Sequence, residues 1–235
     1  MLILGIDTAT DQVSVAIGGH EGVLGSVAVA RGRRHAETLT PAIEFLAAQT
    51  DVGLDEIGVV AVDVGPGLFT GLRVGIATAK AMAYALRVPM IGVASLDLVA
   101  FPLRETGRLI VAAVDARRGE LFYALYRPVP GGVQRLGEYQ VGSPGDLVSE
   151  LVARGEECLL VGDGARRYND DFEGLSRVRV ADQEVAHPSA ASLVQLAHAQ
   201  ALREEFIQPW ELEPLYLRTP DAIANWTSRA DEGPS

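Results

Sequence analysis

The feature that most constrains this chain is an opening pattern that occurs twice. Residues 109–115 followed by 120–126 overlay residues 2–7 followed by 13–17 at a constant offset of 108, so that Asp7 falls on Asp115, Val13 on Leu121, Val15 on Tyr123 and Ile17 on Leu125. Each copy reads as an apolar strand running into an Asp, a turn, and a second strand. A further echo lies downstream: 59–64 with Gly65-Pro66-Gly67 is matched by 159–161 with Gly162-Asp163-Gly164. In 235 residues this repeat predicts two lobes of roughly 100 residues each.

Strands 2–6 and 13–17 are joined across Asp7-Thr8-Ala9-Thr10-Asp11, and Gly22 opens a third strand, 23–30. Helical spacing covers 36–49 and 71–86, with a strand at 59–64 between them. A strand at 90–93 precedes a short helix for which Ser95 is the expected cap. Pro41 leaves two readings open: Thr40 caps a helix that begins at Pro41, or the helix kinks there. In the second half, Ser143-Pro144-Gly145-Asp146 carries the cap, first-turn proline and acid of a helix start. His187-Pro188-Ser189 opens a last helix running to about Glu205, and 219–235 reads as a polar, mobile tail. Two copies of strand–strand–strand–helix–strand–helix resemble the actin, sugar-kinase and heat-shock-chaperone superfamily. The resemblance implies an α/β, two-lobed actin-like, sugar-kinase-like fold of duplicated βββαβα units. Its lobes would span 1–104 and 105–218, with the last helix free to pack back on the first lobe.

Charge narrows the function. A protein that grips nucleic acid alone needs a basic face, because phosphate neutralisation dominates affinity, whereas this chain carries a net charge of −11. Its densest basic cluster, Arg31, Arg33 and Arg34, is a short loop that reads as solvated surface. The chain is 48% hydrophobic, yet no apolar run approaches the roughly 20 residues of a membrane span. The start breaks at Asp7 and lacks a basic n-region, so it reads as a strand and not a signal peptide. The single Cys158 forms no internal disulfide and reads as a small buried hydrophobe. These features predict a cytoplasmic protein.

The stretch from Asp63 to Gly75 is a strand end, a glycine turn and a helix start. Gly65 and Gly67 permit backbone angles that side chains forbid, and Thr70 is placed to cap the helix. Amides exposed at such a start could hold an anion. No Gly-Lys-Ser/Thr follows, and the spacing is not that of a dinucleotide fingerprint, so a tight structural turn remains the competing reading. Asp7, Asp63 and Asp115 are open in the same way, since an Asp after a strand either organises metal-bound phosphate or bonds its own turn backbone. Asp7, Gly65 and Gly67, with Gly162 and Gly164 across from them, form a candidate nucleotide cleft. His20 sits in a turn and His187 and His198 bracket a helix, with no serine or cysteine placed to complete a triad.

Gly-Pro-Gly-x-Phe-Thr-Gly-Leu-Arg-x-Gly at 65–75, followed by Ala77-Thr78-Ala79-Lys80, resembles the TsaB (YeaZ) family. So do Gly5-Ile6-Asp7-Thr8, Val114-Asp115-Ala116-Arg117-Arg118-Gly119-Glu120 and Pro214-Leu215-Tyr216-Leu217-Arg218. The resemblance implies a non-catalytic partner of TsaD, which transfers a threonylcarbamoyl group to an adenosine next to the tRNA anticodon. It also implies a TsaE-type ATPase as a further partner, a homodimer when alone, and tRNA contact only through the complex. TsaD-like chains carry a His-x-x-x-His metal pair; the matching His35-Ala36-Glu37-Thr38-Leu39 has leucine at the second place, and Glu213-Pro214-Leu215 stands where an acidic ligand motif would be. A lone His35 is a weak ligand, so the expectation is no metal, and a metallopeptidase is disfavoured. No resident cofactor is expected beyond weak or interface-dependent ATP or ADP. Partner contact is assigned to the two first-lobe helices, through Leu39, Ile43 and Leu46 on one and Ala77 and Ala81, flanked by Gly75 and Ala85, on the other. An active ATPase or phosphotransferase of the superfamily is the alternative.

Overall fold

The structure is a computed structural model that describes residues 1–30, 32 and 34–218. Arg31, Arg33 and the 219–235 tail lie outside the described residues. The first unit runs β1 (Leu2–Asp7), β2 (Gln12–Gly19), β3 (Gly22–Ala30), α1 (His35–Thr50), β4 (Ile57–Gly65), α2 (Phe69–Leu86) and β5 (Met90–Ala94). Short turns join β1, β2 and β3, so those strands pair antiparallel. Parallel neighbours need a crossover, and α1 and α2 supply it for β1–β4 and β4–β5. The resulting sheet has the order β3-β2-β1-β4-β5.

After α3 (Ser95–Ala100) the plan repeats as β6 (Leu109–Arg117), β7 (Glu120–Val129), β8 (Gly132–Gly142), α4 (Pro144–Arg154), β9 (Cys158–Val161), α5 (Asp163–Arg167), α6 (Asn169–Phe172) and β10 (Val178–Val180). Its sheet order, β10-β9-β6-β7-β8, is the first order read from the other edge. Helix α7 (Ala190–Ala201) is the last helix among the described residues.

Both sheets are covered on both faces, which is why β1 and β6 are nearly continuous apolar runs while the edge strand β3 alternates. On one face of the first sheet, Leu39, Ile43 and Leu46 of α1 and Ile76 and Ala79 of α2 pack on Leu4, Ile6, Val60 and Val62. On its other face lies α7, with Leu193, Val194 and Ala197 against Ile3, Ala16 and Val59. The second sheet packs α4 and α6 on one face through Leu147, Leu151 and Phe172, and α3 on the other through Leu96 and Val99. The connecting helices thus cross over: α3 follows the first sheet in sequence and packs on the second, whereas α7 comes last and packs on the first.

Of the two readings of Pro41, the structure excludes a helix that begins there: α1 is one helix with Pro41 inside it, because the stripe Leu39, Ala42, Ile43 and Leu46 stays buried across the proline while Pro41 itself faces solvent. Other local details depart from the sequence reading. Leu68, not Thr70, is the cap of α2, and Thr70 lies within the helix. Ala94 caps α3, and Ser95 is its first helical residue. Helix α7 ends at Ala201 rather than near Glu205. Ser143 and Asp146 do form the expected capping box, and Cys158 is buried in β9. Among the described residues no helix is long and apolar enough to cross a membrane.

Candidate functional site

Asp7 and Asp63 stand side by side, because the parallel register pairs Ile6 with Val62 and puts the next residues at adjacent strand ends. They are 0% and 2% exposed. Asp7 Oδ1 accepts the Ala9 amide at 2.9 Å and its Oδ2 accepts the Ser14 hydroxyl at 3.0 Å. Asp63 Oδ1 accepts both the Gly65 amide at 2.7 Å and the Ser95 hydroxyl at 2.6 Å. Burial lifts the Asp7 carboxyl to about 6 despite these donors. Burial, and then the neighbouring Asp7 charge, lift Asp63 well above the ordinary carboxylate range. Neither carboxyl faces solvent, and both serve turns, as Asp does when it bonds backbone two residues on.

The glycines of the 65–75 stretch explain that closure. A Cβ on Gly67 would stand 2.3 Å from the Ala9 carbonyl oxygen, one on Gly71 2.2 Å from that of Thr8, and one on Gly75 2.2 Å from Thr8 Oγ1. The β1–β2 turn therefore presses directly onto the start of α2, where the Leu68 amide donates to Ala9 O at 2.7 Å and Thr8 Oγ1 donates to Gly71 O at 2.8 Å. His35 completes the arrangement: it is buried at the start of α1 and its Nε2 donates to Thr10 O at 2.7 Å. In the second lobe, Gly162 and Gly164 lie against the backbone of β6, with a Cβ on Gly162 only 2.0 Å from Ala113 O. The space these glycines leave open is filled by the chain's own backbone and side chains.

An open cleft of about 380 Å³ does lie between the lobes, but Gly67 is the one member of the candidate nucleotide set that lines it. Asp7, Gly65, Gly162 and Gly164 do not, so the five do not form one cavity wall. The cleft is instead lined by Phe69, by Asp115, Arg117 and Arg118 on the β6–β7 turn, and by the segment 215–218. That segment is held by the Leu215 amide donating to Val64 O at 2.7 Å, and by Tyr216, whose ring centroid is 5.6 Å from that of Phe69. Arg73 stacks 3.8 Å over Phe69, and Arg218 pairs with Glu120. Asp115 is 6% exposed and is neutralised by arginine: Arg117 Nη1 lies 3.1 Å and Arg167 Nε 3.6 Å from its Oδ2. Arg117 also reaches across the cleft to Asp11 at 2.9 Å. Arg117 and Arg118 hold left-handed backbone angles, φ 63° and 57°, a conformation that costs a side-chain-bearing residue about 1 kcal/mol.

The partner-contact residues divide. Leu39, Ile43 and Leu46 are core residues against the first sheet, a correction to the interface assignment whose cause is that α1 has one apolar stripe and the sheet takes it. Gly75 is likewise buried, against Thr8. Ala77, Ala81 and Ala85 are exposed, and with them Tyr84 at 77% and, on α1, Phe45 at 57%. Neither aromatic was singled out from sequence. The signal was present, since Arg73, Ala77, Ala81 and Tyr84 recur with helical period out of phase with buried Leu72, Ile76, Ala79 and Ala83. Among the described residues no group of three or more His, Cys, Asp or Glu side chains is arranged to hold a metal ion.

Comparison with known proteins places this geometry. The family model for TsaD, tRNA N6-adenosine threonylcarbamoyltransferase, matches residues 17–226. The tRNA threonylcarbamoyladenosine biosynthesis protein TsaB of Escherichia coli is 31% identical over 221 residues, covering 93% of this chain and 95% of that protein. An uncharacterised protein of Mycobacterium leprae is 36% identical over 94% of this chain, which spans only 56% of that relative's length. Among solved structures, YeaZ from Pseudomonas aeruginosa superposes with a TM-score of 0.79 at 27% identity, covering 92% of this chain and 99% of that one. A more distant likeness, TM-score 0.50 at 12% identity over 92% of this chain and all of that one, is to the activator of 2-hydroxyisocaproyl-CoA dehydratase from Clostridium difficile and shows the fold alone. The two-lobed fold is the actin-like, sugar-kinase-like one, and by sequence and structure together the chain belongs to the TsaB (YeaZ) family.

Proposed function

We propose that this chain acts in the formation of threonylcarbamoyladenosine in tRNA as a non-catalytic partner of a TsaD-type transferase, contributing a surface and no reacting group. The observation that carries this reading is the closure around Asp7. Its two oxygens are taken by Ala9 and Ser14, it has no exposed surface, and the glycine stripe of α2 seats the turn above it. A carboxylate that is to organise phosphate must face the cleft, and this one does not. The names carried by relatives such as the Escherichia coli protein support the pathway, and the match to the TsaD model makes a structurally related transferase the natural docking partner. The contact surface is the outer face of α2, with Ala77, Ala81 and Tyr84, together with the exposed Phe45 of α1. Small residues beside exposed aromatics allow close helix approach around large anchors, and such anchors carry most of an interface's energy. The same face serves a homodimer when the chain is alone, a TsaE-type ATPase joins the assembly, and tRNA is held through the complex, as a net charge of −11 favours. The setting is cytoplasmic. No resident cofactor belongs to the chain, and ATP or ADP binds weakly or at a partner interface.

The cleft beside Arg117 and Arg118 supports the second reading, an ATPase or phosphotransferase that uses the second-lobe wall. One experiment separates them. Ala81→Glu and Tyr84→Glu are expected to fold normally, to lose the complex with the transferase on size exclusion by at least about 2 kcal/mol of binding, and to lose tRNA modification with it. Full complex and full modification in both variants would remove the proposed surface. ATP turnover by the isolated chain that Arg118→Ala abolishes would favour the second reading.

A further inference from the structure

We propose that Asp7 and Asp63 share a single proton: Asp63 is the neutral acid, and the hydroxyl at its Oδ2 donates to the Asp7 carboxylate. The pair then works as a one-proton bridge across the strand ends of β1 and β4. The geometry is that of two buried carboxyls carried side by side at the adjacent ends of two paired parallel strands. Every donor on Asp63 goes to Oδ1, from Gly65 N and Ser95 Oγ, while Oδ2 is buried with no donor at all. A buried carboxylate oxygen without a donor is unfavourable, and two adjacent ionised carboxyls in a dry site are more so. Protonating Oδ2 removes both defects, since it converts the orphaned acceptor into a donor beside the Asp7 carboxylate. Asp7 is the acceptor because its oxygens already receive Ala9 N and Ser14 Oγ, bonds that favour the charged form. The nearby titratable group on the surrounding elements is His35, whose charge favours the ionised form of Asp7 and is not among the influences on Asp63. Helix α1 presents His35, whose Nε2 is bonded to Thr10 O. Strand β2 presents Ser14, α3 presents Ser95, and α2 packs glycines on the turn. Helix α7 reaches the pair only through its Ala190 amide, which donates to Ser14 Oγ at 2.9 Å. The bridge therefore ties together the starts of the two crossover helices, α3 through Ser95 and α7 through Ser14. It is a proton-dependent fastener that holds to the first sheet both α7 and, through Ser95, the helix that packs on the second sheet.

The sign of its pH dependence follows from linkage. In the unfolded chain Asp63 releases its proton near pH 4, as an ordinary Asp does. In the folded chain it keeps the proton to higher pH, so the folded state binds more protons in that window and stability falls as pH rises through it. Asp63→Asn places an amide donor where the acid hydroxyl stood and keeps the Oδ1 acceptor, without a proton to lose. Thermal melts of the full chain from pH 4 to 9 test this. Asp63→Asn should melt close to the parent at pH 4 and progressively above it as pH rises, whereas Asp7→Asn, which loses an acceptor, should melt lower throughout. Infrared spectra at neutral pH should show one buried protonated carboxyl band that Asp63→Asn removes. An Asp63→Asn chain that melts lower at every pH or fails to fold would overturn the proposal, as would the absence of that band in the parent.

Discussion

Asp7 and Asp115 occupy the same place in the two halves of the chain, 108 residues apart at the end of the first strand, and their surroundings have diverged. Each lies beside a second acid: Asp63 for Asp7, and for Asp115 the residue Asp163, whose Oδ1 accepts the Asp115 amide at 3.0 Å. Two residues after Asp7 comes Ala9, and in its place after Asp115 comes Arg117, which pairs with Asp115 at 3.1 Å and with Asp11 at 2.9 Å. The first-lobe turn is sealed under α1 and α2, while the second-lobe turn lines an open cleft. The lesson is that one duplicated position can be kept in two ways. Both sites hold their acids with backbone amides, and only the acid beside the open cleft, Asp115, adds arginine, because solvent access decides whether a guanidinium can be accommodated cheaply.

The strongest way to break the contrast is to add one methyl group at each site, on the helix that presses on the first turn and within the second turn. Gly71→Ala forces a Cβ into Thr8 O at 2.2 Å and should cost about 3 kcal/mol or prevent folding. Gly119→Ala meets nothing within 4 Å and carries only the strain of φ 80°, about 1 kcal/mol. Equal losses in denaturant melts would show that the two turns are not packed differently. A middle-sized effect sharpens the electrostatic side: Ser95→Ala removes a donor from a buried acid and should cost about 2 kcal/mol, unchanged by added salt. Smallest is Arg117→Ala in the half-exposed second-lobe site, where the loss should stay below about 1 kcal/mol and shrink further in high salt. A salt-insensitive loss at Arg117, as large as that at Ser95, would erase the distinction between the sealed and the open turn.

Some elements were legible because their signals are local. Ser143 and Asp146 cap α4 through contacts three residues apart, so four consecutive residues were enough to read it. Asp7 as a turn-forming acid was readable for the same reason, since its partner Ala9 is two residues on. Pro41 left two readings open, and the one that keeps the proline inside the helix holds, because a buried stripe continues on both sides of it. Thr70 and Ser95 also fit a local capping rule, and tertiary packing gave the cap positions to Leu68 and Ala94 instead.

What the sequence determined by itself is the repeated strand–Asp–turn–strand unit, and with it two sheets of the same order, because strand periodicity and turn residues act over a few positions. What only the tertiary structure decided is who fills each prepared surface. A glycine announces that something comes close without saying whether that is a phosphate or a carbonyl; at Gly67 and Gly71 it is the carbonyls of Ala9 and Thr8. An apolar stripe announces burial without naming its cover, and Leu39, Ile43 and Leu46 went to the chain's own sheet, leaving Phe45, Tyr84, Ala77 and Ala81 outside. The physical reason is shared. Excluded volume and hydrophobic burial depend on contact with something and are indifferent to what it is, so partner identity is fixed only when the whole chain has chosen its neighbours.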